Sequence, residues 1–321
     1  MLCSVIVPLY NKAPFVEEAI ASVLAQRHED FEIIVIDDGS SDEGPDLVRA
    51  MRDPRIRIEA QKNAGVSCAR NRGIACANGE LVCFLDADDW YHPDYLHVIA
   101  GMARRFPAIS TFATGYRRVR SQSDMAFSPM ADDAHVECIG DCFEHRRNFG
   151  AVFCTNSVAV RRSLLNALQP CFPVGESMGE DLDLWFRLGE CSPLAFCPAQ
   201  LAAYRLGLQE SLTATHVVRE LLPSWSRLET RALSLHMPEP LRSSALRLVA
   251  HERIMLARAA IAEGRRADGL RLLLRAWRGI GLRNWWVTAA LGAGSPASVM
   301  RAWSRWREEK ASEVRPENGS R

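Results

Sequence analysis

The run Glu80-Leu81-Val82-Cys83-Phe84-Leu85 reads as a buried strand, and it ends abruptly in Asp86-Ala87-Asp88-Asp89. Trp90, Tyr91, His92 and Pro93 then break the pattern. Carboxylates cannot sit ionised and unpartnered in a core, so a strand with this exit must deliver it to a cleft. Asp86, Asp88 and Asp89 repel one another, and a cation among them would relieve that. Oxygen ligation by one or two carboxylates, completed by other oxygen donors, suits Mg²⁺ or Mn²⁺. An Asx-rich turn capping the next helix is the plainer reading, for which Asp89 alone would suffice.

Two strands precede it, and one of them ends in the same manner. Phe31-Glu32-Ile33-Ile34-Val35-Ile36 is β-branched and mostly apolar, as a strand buried on both faces should be, and it runs into Asp37-Asp38-Gly39-Ser40-Ser41-Asp42. Cys3-Ser4-Val5-Ile6-Val7-Pro8 leads into Leu9-Tyr10-Asn11-Lys12. Between these strands lies a helix, with Pro14 in its first turn, Glu17 and Glu18 placed to complement its dipole, and Val16, Ile20, Val23 and Leu24 as its apolar stripe. Strand and helix alternate as in βαβ units, and such sheets bind ligands beyond the carboxyl ends of their strands. Pro8–Asn11, Asp37–Ser40 and Asp86–Asp89 are therefore expected along one crevice.

Four ordered blocks carry a resemblance. They are Val5–Lys12, Ile36–Asp42, Asn63-Ala64-Gly65-Val66-Ser67-Cys68-Ala69-Arg70-Asn71-Arg72-Gly73, and Phe84–Asp89. In order and spacing they resemble the nucleotide-sugar half of the family-2 glycosyltransferases, inverting enzymes of GT-A fold. A fifth block, Gly179-Glu180-Asp181-Leu182-Asp183-Leu184-Trp185-Phe186-Arg187-Leu188, is similar to that family's acceptor-side acidic motif. The resemblance covers roughly residues 2–215. It implies an α/β protein: a GT-A fold with a Rossmann-like, mostly parallel central sheet flanked by helices, here followed by a helical C-terminal extension.

The resemblance also implies roles. A sugar nucleotide's leaving group departs with two negative charges, and a divalent cation on the diphosphate would offset them. Asp88 is the expected Mg²⁺ or Mn²⁺ ligand, with Asp86 sharing the metal or directed to ribose. Asp38, with Asp37, is expected at the base, because a carboxylate can accept from the imide N–H of uracil; UDP is thus the expected carrier. Pro8 and the Tyr10 ring should flank the base. Arg70 should meet the base or the diphosphate, the alternative being a structural ion pair with one of the aspartates. Inversion needs a general base on the acceptor side. Asp181 is expected in that role and Glu180 as an acceptor ligand, helix capping being the competing account of both. In the closing segment Leu201–Thr213, Tyr204-Arg205 is followed by Leu206-Gly207 where the family usually has x-His. A histidine contact there is absent, or is replaced by His216 or Arg205.

Composition agrees with a globular protein. Of 321 residues, 48% are hydrophobic and 24% charged. The net charge is zero but unevenly spread: residues 217–321 carry 19 Lys/Arg against 10 Asp/Glu, or +9, leaving −9 for the rest. Of the ten cysteines, Cys3, Cys83, Cys154 and Cys197 lie in strand-like runs and Cys68 and Cys76 in a helical stretch, with no C-x₂-C pair. Cys138 and Cys142 near His135 and His145 lack a second pair to complete a zinc site. Reduced, buried thiols in a cytoplasmic protein are expected. Met1 leads straight into the first strand, and no window reads as a signal peptide or membrane span.

Residues 1–216 are expected to be the catalytic domain, with 1–105 as its donor half and 106–216 as its acceptor half. Arg117, Arg118, Arg120, Arg146 and Arg147 read as solvated basic clusters, and Asn156 and Ser157 as part of a strand below the acceptor. Residues 217–307 read as a helical extension, with an αα-hairpin carried by Leu246, Val249, Ala250, Ala257 and Ile261, then Leu270, Leu273, Leu274 and Trp277, across Gly264. Residues 308–321 read as disordered. Trp285, Trp286, Trp303 and Trp306 among arginines suit either packing, onto the catalytic domain or a second subunit in a homodimer, or a peripheral place on the inner face of a membrane. Expected partners are a UDP-linked donor and a glycan or lipid-linked acceptor, with no nucleic acid. A nucleotidyltransferase would need a Gly/Lys-rich triphosphate loop after the first strand, and a dehydrogenase a G-x-G-x-x-G; neither is present. A degenerate nucleotide-sugar-binding module is the non-enzymatic alternative.

Overall fold

The computed structural model describes residues 1–119, 127, 135–176, 178–207, 218–234 and 236–294. Arg120, Leu208–Thr213, His216, Trp303, Trp306 and the 308–321 tail lie outside the described residues. The chain divides into two compact units, Met1–His216 and Val217–Arg321.

The first unit is α/β. It runs β1 (Cys3–Leu9), α1 (Ala13–Leu24), β2 (Phe31–Asp37), α2 (Gly44–Ala50), β3 (Ile56–Ala60), α3 (Val66–Cys76), β4 (Leu81–Phe84), β5 (Trp90–Tyr91) and α4 (Tyr95–Arg105). It continues through β6 (Thr111–Val119), β7 (Glu137–Ile139), α5 (Cys142–Phe149), β8 (Val158–Arg161), α6 (Arg162–Ala167), α7 (Glu180–Cys191) and β9 (Leu194–Arg205). A nine-stranded sheet among the described residues has the order β3-β2-β1-β4-β8-β6-β9-β5, with β7 on β9. The pairs joining β3, β2, β1 and β4 are all parallel. β8 runs antiparallel to both β4 and β6, β6 and β9 are parallel, and β5 and β7 each pair antiparallel with β9. The first half of the unit is thus wholly parallel and the second half mixed.

The unbroken apolar strands have two cores to fill. Cys3, Val5, Val7 and Leu9 of β1 face a core shared with Val16, Ile20 and Val23 of α1. Ile6 faces the other way, onto Ile34, Ile36, Val82 and Phe84, with Trp185 and Leu188 of α7 beyond. Period-two alternation is therefore apolar on both faces. Fully burying one such side chain is worth about 1.5–3 kcal/mol. In α1 the buried set is Ala13, Val16, Ala19, Ile20 and Val23, as its stripe predicts.

The second unit is helical: α8 (Pro223–Leu233), α9 (Leu241–Ala262), α10 (Arg266–Arg275) and α11 (Arg283–Gly294). α9 and α10 make the expected hairpin, and Gly264 turns it at φ +87°. Ile254, Ala257, Leu273 and Ala276 form its core, against which Trp285 packs. Trp285 donates to the Leu273 carbonyl at 3.1 Å, whereas Trp286 is exposed. Among the described residues no helix is long and apolar enough to cross a membrane.

Candidate functional site

Three strand exits of the first unit meet, as their sequences require. The β1 exit is closed by Asn11, held at φ +50°. Its Oδ1 accepts from the Ser41 amide at 2.8 Å, and its own amide donates to Ser40 Oγ at 3.2 Å. The Asp38 amide donates to the Leu9 carbonyl at 2.8 Å, so the β1 and β2 exits are tied directly. Tyr10 stands half-exposed beyond Pro8. Gly39 turns the chain at φ +76°, where an added Cβ would lie 2.9 Å from the Asn63 amide nitrogen; only glycine serves there.

Asp37 and Asp38 are both buried. Asp37 Oδ1 accepts from the Ser40 amide at 2.8 Å. Asp38 Oδ1 accepts from Gln61 Nε2 at 2.7 Å and the Ala64 amide at 2.9 Å, and Oδ2 from the Gly65 amide at 2.8 Å. Asp38 therefore pins the segment leading into α3, and one carboxylate lone pair on Oδ2 is left for a further donor.

The three acids after β4 separate into different environments. Asp86 receives Arg70 at 2.9 Å, and its backbone amide donates to Asn156 Oδ1 at 2.9 Å. Asp88 receives Lys12 Nζ at 2.8 Å, both side chains keeping about a fifth of their surface exposed. Asp89 is only 2% exposed. Its Oδ1 accepts from the Arg205 amide at 2.6 Å and its Oδ2 from the Asn156 amide group. Burial, with Asp88 and Asp86 alongside, pushes the Asp89 carboxyl well above the usual carboxylate range, and the Arg205 amide opposes that.

Arg70 joins the two halves of the site. It is 5% exposed, and reaches Asp86 with one guanidinium nitrogen and Glu180 with another, each at 2.9 Å. Its guanidinium also lies 5.4 Å over the Phe172 ring. Burial works against this charge, but Asp86, Glu180 and Asp181 outweigh it and hold the group above its ordinary value. Both sequence-level accounts of Arg70 place it here, and the structure assigns its nitrogens to two acids rather than one.

Glu180 and Asp181 open α7, behind Gly179 at φ +68°. Glu180 is buried against Arg70, and burial first, then Asp181, raises its pKa, which Arg70 opposes. Asp181 Oδ2 accepts from the Thr155 hydroxyl at 3.0 Å. Asp183 pairs with Arg187 at 3.0 Å, and Arg187 in turn bonds the carbonyls of Leu168, Pro170 and Cys171. The N-cap position itself is Gly179, so Glu180 and Asp181 stand at the first two helical positions.

Arg205 does not stand in for the missing histidine. Its Nε donates to the Asp88 carbonyl at 2.8 Å, another nitrogen meets Glu18 at 2.6 Å, and the guanidinium is sandwiched between Phe15 and Trp90 at 4.9 and 4.8 Å. Glu18 thus serves Arg205 rather than the dipole of α1. Gly207 itself has φ +87° with open space around it. Asn156 and Ser157 lie in a 3₁₀ turn just before β8, not on a strand. Asn156, Thr155 and Lys12 are site residues to which no role follows from sequence alone. Their partners are 70, 26 and 76 positions away.

No group of three or more His, Cys, Asp or Glu side chains among the described residues converges as a self-contained metal cage. One or two carboxylates with the remaining positions left to phosphate and water is nevertheless the usual protein contribution for Mg²⁺. Asp86 and Asp88, all-oxygen and partly open to solvent, fit that donor set; Asp89, turned inward, does not.

Comparison with known sequences and structures bears on the family and the fold. Residues 4–163 match the model "Glycosyl transferase family 2". An uncharacterized glycosyltransferase of Rickettsia felis is 30% identical over 207 residues, covering 63% of this chain but 33% of its own length. One of Nostoc sp., alr2836, is 28% identical over 68% of this chain and 70% of its own. This chain spans about a third of the Rickettsia relatives it matches. Among solved structures, Staphylococcus aureus TarS 1–349 in complex with UDP-GlcNAc superposes with TM-score 0.70 at 16% identity, over 95% of this chain and 92% of that one. The mannosyltransferase PcManGT of Pyrobaculum calidifontis, in complex with GDP-Man and Mn²⁺, gives 0.53 at 18%, over 90% and 86%. The shared architecture is the GT-A fold. The chain belongs to glycosyl transferase family 2.

Proposed function

We propose that the protein is an inverting, metal-assisted glycosyltransferase that moves a sugar from a nucleoside-diphosphate sugar, with UDP as the carrier, to a hydroxyl of a glycan or lipid-linked acceptor. The observation that carries this is Arg70, whose one side chain holds Asp86 of the strand-exit acids and Glu180 of the α7 acids. Acids 94 positions apart in sequence thereby share one crevice, one set suited to a diphosphate and its cation, the other to an acceptor. The two solved neighbours bind nucleotide sugars, UDP-GlcNAc and GDP-Man.

Residue roles follow from the contacts. Pro8 and Tyr10 flank the base, and Asp38 offers its spare Oδ2 lone pair, beside Asp37, to the base's imide N–H. Asp88, with Asp86, would hold Mg²⁺ or Mn²⁺. When bound, that ion neutralises charge developing on the leaving diphosphate. Asp181 is the general base. Its Oδ2 accepts from the Thr155 hydroxyl, whereas Glu180 is engaged through Oε1 by the Arg70 guanidinium that also holds Asp86. Glu180 then orients the acceptor.

The second unit presents Leu274, Trp277, Ile280 and Trp286 as exposed apolar side chains, with Arg271, Arg275, Arg278 and Arg283 among them and no Asp or Glu from 269 to 294. Tryptophan and arginine in that combination suit the interfacial zone of an anionic bilayer. A peripheral membrane contact is the corresponding part of the proposal.

The deciding experiment is donor hydrolysis and transfer across a panel of UDP-, GDP- and dTDP-sugars with Mn²⁺, reading the anomeric configuration of the product by NMR. Turnover of one donor with inversion is expected. Retention, or no turnover and no nucleotide-sugar binding across the panel, would overturn the proposal.

A further inference from the structure

Lys12 occupies a position that local structure does not explain. It is the N-cap residue of α1 and makes no side-chain capping bond. Ser, Thr, Asp and Asn are preferred there, and a cation opposes the positive end of the helix dipole. Its backbone is fixed from both sides: Asn11 is bonded to Ser40 and Ser41, and the Ala13 amide donates to Asp42 Oδ2 at 2.8 Å. From this rigid root the flexible stem extends across the crevice to place Nζ 2.8 Å from Asp88 Oδ2. Other cations near the acids are locked by several partners, as Arg70 and Arg205 are. Lys12 has one carboxylate contact and a partly exposed side chain, with its ammonium a distant 6.0 Å from the Phe15 ring.

Resting on the reading of Asp88 given above, we infer that Lys12 is a mobile counter-ion of the site. It holds Asp88 until donor and metal arrive together, and then transfers to the diphosphate. Lys12 and a divalent cation cannot both sit in contact with Asp88 Oδ2 without strong mutual repulsion, so Lys12 must leave when a cation takes that oxygen. The diphosphate is the anion that arrives with the cation, and a compact ammonium with three donors suits phosphate oxygens. Two consequences follow. Lys12 weakens the binding of a cation alone, and strengthens the binding of a diphosphate in the presence of the cation. By linkage, the site therefore favours the metal–nucleotide pair over either component by itself.

The test is Lys12→Met, which keeps the length of the stem, removes the charge and leaves the N-cap as uncapped as before. Mn²⁺ binding without nucleotide is read by electron paramagnetic resonance. UDP and GDP, with UMP and GMP as controls, are titrated by calorimetry at saturating Mn²⁺, and a thermal melt checks folding. Mn²⁺ alone should bind about fivefold tighter in the variant, the factor expected for losing one partly exposed ion pair. The diphosphate that the wild type binds should weaken at least about tenfold, as for loss of a charged hydrogen bond, while its monophosphate changes less than about twofold. Unchanged Mn²⁺ affinity and unchanged diphosphate affinity in Lys12→Met, with Asp88→Asn losing both, would overturn the inference and leave the site reading intact. Equal losses for diphosphate and monophosphate would also overturn it, since Lys12 would then serve the base side. A wild type in which Mn²⁺ and nucleoside diphosphate bind without regard to Asp88→Asn would overturn the site reading and this inference with it.

Discussion

Asp88 and Asp89 are neighbours in sequence, yet their contacts predict opposite failures on truncation. Asp89→Ala removes a 2%-exposed carboxylate and leaves the Arg205 amide and the Asn156 amide group without their acceptor. Each buried donor left unsatisfied costs about 1–3 kcal/mol. Relief of the desolvated Asp89 charge returns part of that, so a net loss of about 2–4 kcal/mol is expected. For a unit of this size that corresponds to about 4–16 °C in melting temperature. Asp89→Asn should not rescue. Asn156 is oriented by the Asp86 amide so that its NH₂ faces residue 89, and Arg205 presents an N–H on the other side. An asparagine amide must set its own NH₂ against one of these two donors. Asp88→Ala, by contrast, loses a partly exposed pair with Lys12, worth about 0–1 kcal/mol, and should melt within about 4 °C of wild type. It should lose Mn²⁺-dependent UDP binding and transfer altogether. Thermal melts beside calorimetric UDP titrations decide the matter. Asp89→Asn melting like wild type, or Asp88→Ala keeping full Mn²⁺-dependent UDP affinity, would refute the division of these acids into scaffold and site.

Other outcomes follow from the same contacts. Asp181→Asn should keep UDP-sugar affinity and lose about 10²–10⁴-fold in turnover, measured at saturating donor; near-normal turnover would move the base to Glu180. Glu180 has a raised pKa, so between its unfolded and folded values the native state binds more protons than the unfolded one. Its contribution to stability is then full below the unfolded value near 4.5 and is lost as pH rises through the folded value. Melting temperatures of wild type and Glu180→Gln across that range should therefore converge toward acid and separate toward neutral pH in favour of the variant, and the opposite trend would refute the burial argument. Replacing Trp277 and Trp286 with alanine, or Arg275 and Arg278 with glutamine, should release the protein from anionic vesicles, most strongly at high salt for the remaining electrostatic binding, with the melt unchanged. A pellet fraction that ignores all four substitutions would remove the membrane contact.

The strand exits were legible because parallel strands covered on both faces must be continuous apolar runs, and a run that stops at Asp86 or Asp37 can only stop at an edge. The helix α1 and the α9–α10 hairpin were legible from their period, with Gly264 at positive φ marking the turn. What was not legible was which acid meets which cation. Asp86, Asp88 and Asp89 look alike in sequence, and their difference is set by Asn156 and Arg205, brought in on β8 and β9 by antiparallel and parallel pairings across the second half of the sheet. Those pairings leave no local pattern at Asn156, which reads as the middle of a short polar stretch, Thr155-Asn156-Ser157. The place of Arg205 was similarly concealed. Its neighbourhood to Gly207 suggested a substitute for histidine, whereas Glu18, Phe15 and Trp90 fix it as a structural cation.

Arg70 gives the site its mechanical logic. Three acids, Asp86, Glu180 and Asp181, act on one buried guanidinium, and two of them touch it. A lysine could supply the charge but not two separated contacts in one plane, so the demand is for a guanidinium specifically. Through it, the β4 exit that would carry the diphosphate and the α7 start that would carry the proposed base share one rigid partner. Thr155 and Asn156, adjacent in one 3₁₀ turn, repeat the connection: Thr155 holds Asp181, and Asn156 holds Asp86 and Asp89. The distance between the strand-exit acids and the α7 acids is thus set twice, by a guanidinium from α3 and by two adjacent hydrogen-bonding residues before β8. Direct displacement at the anomeric carbon demands that geometry of a protein, because nucleophile and leaving group must be held in line on opposite faces, and a looser link between the halves would lose the orientation on which catalysis by proximity depends.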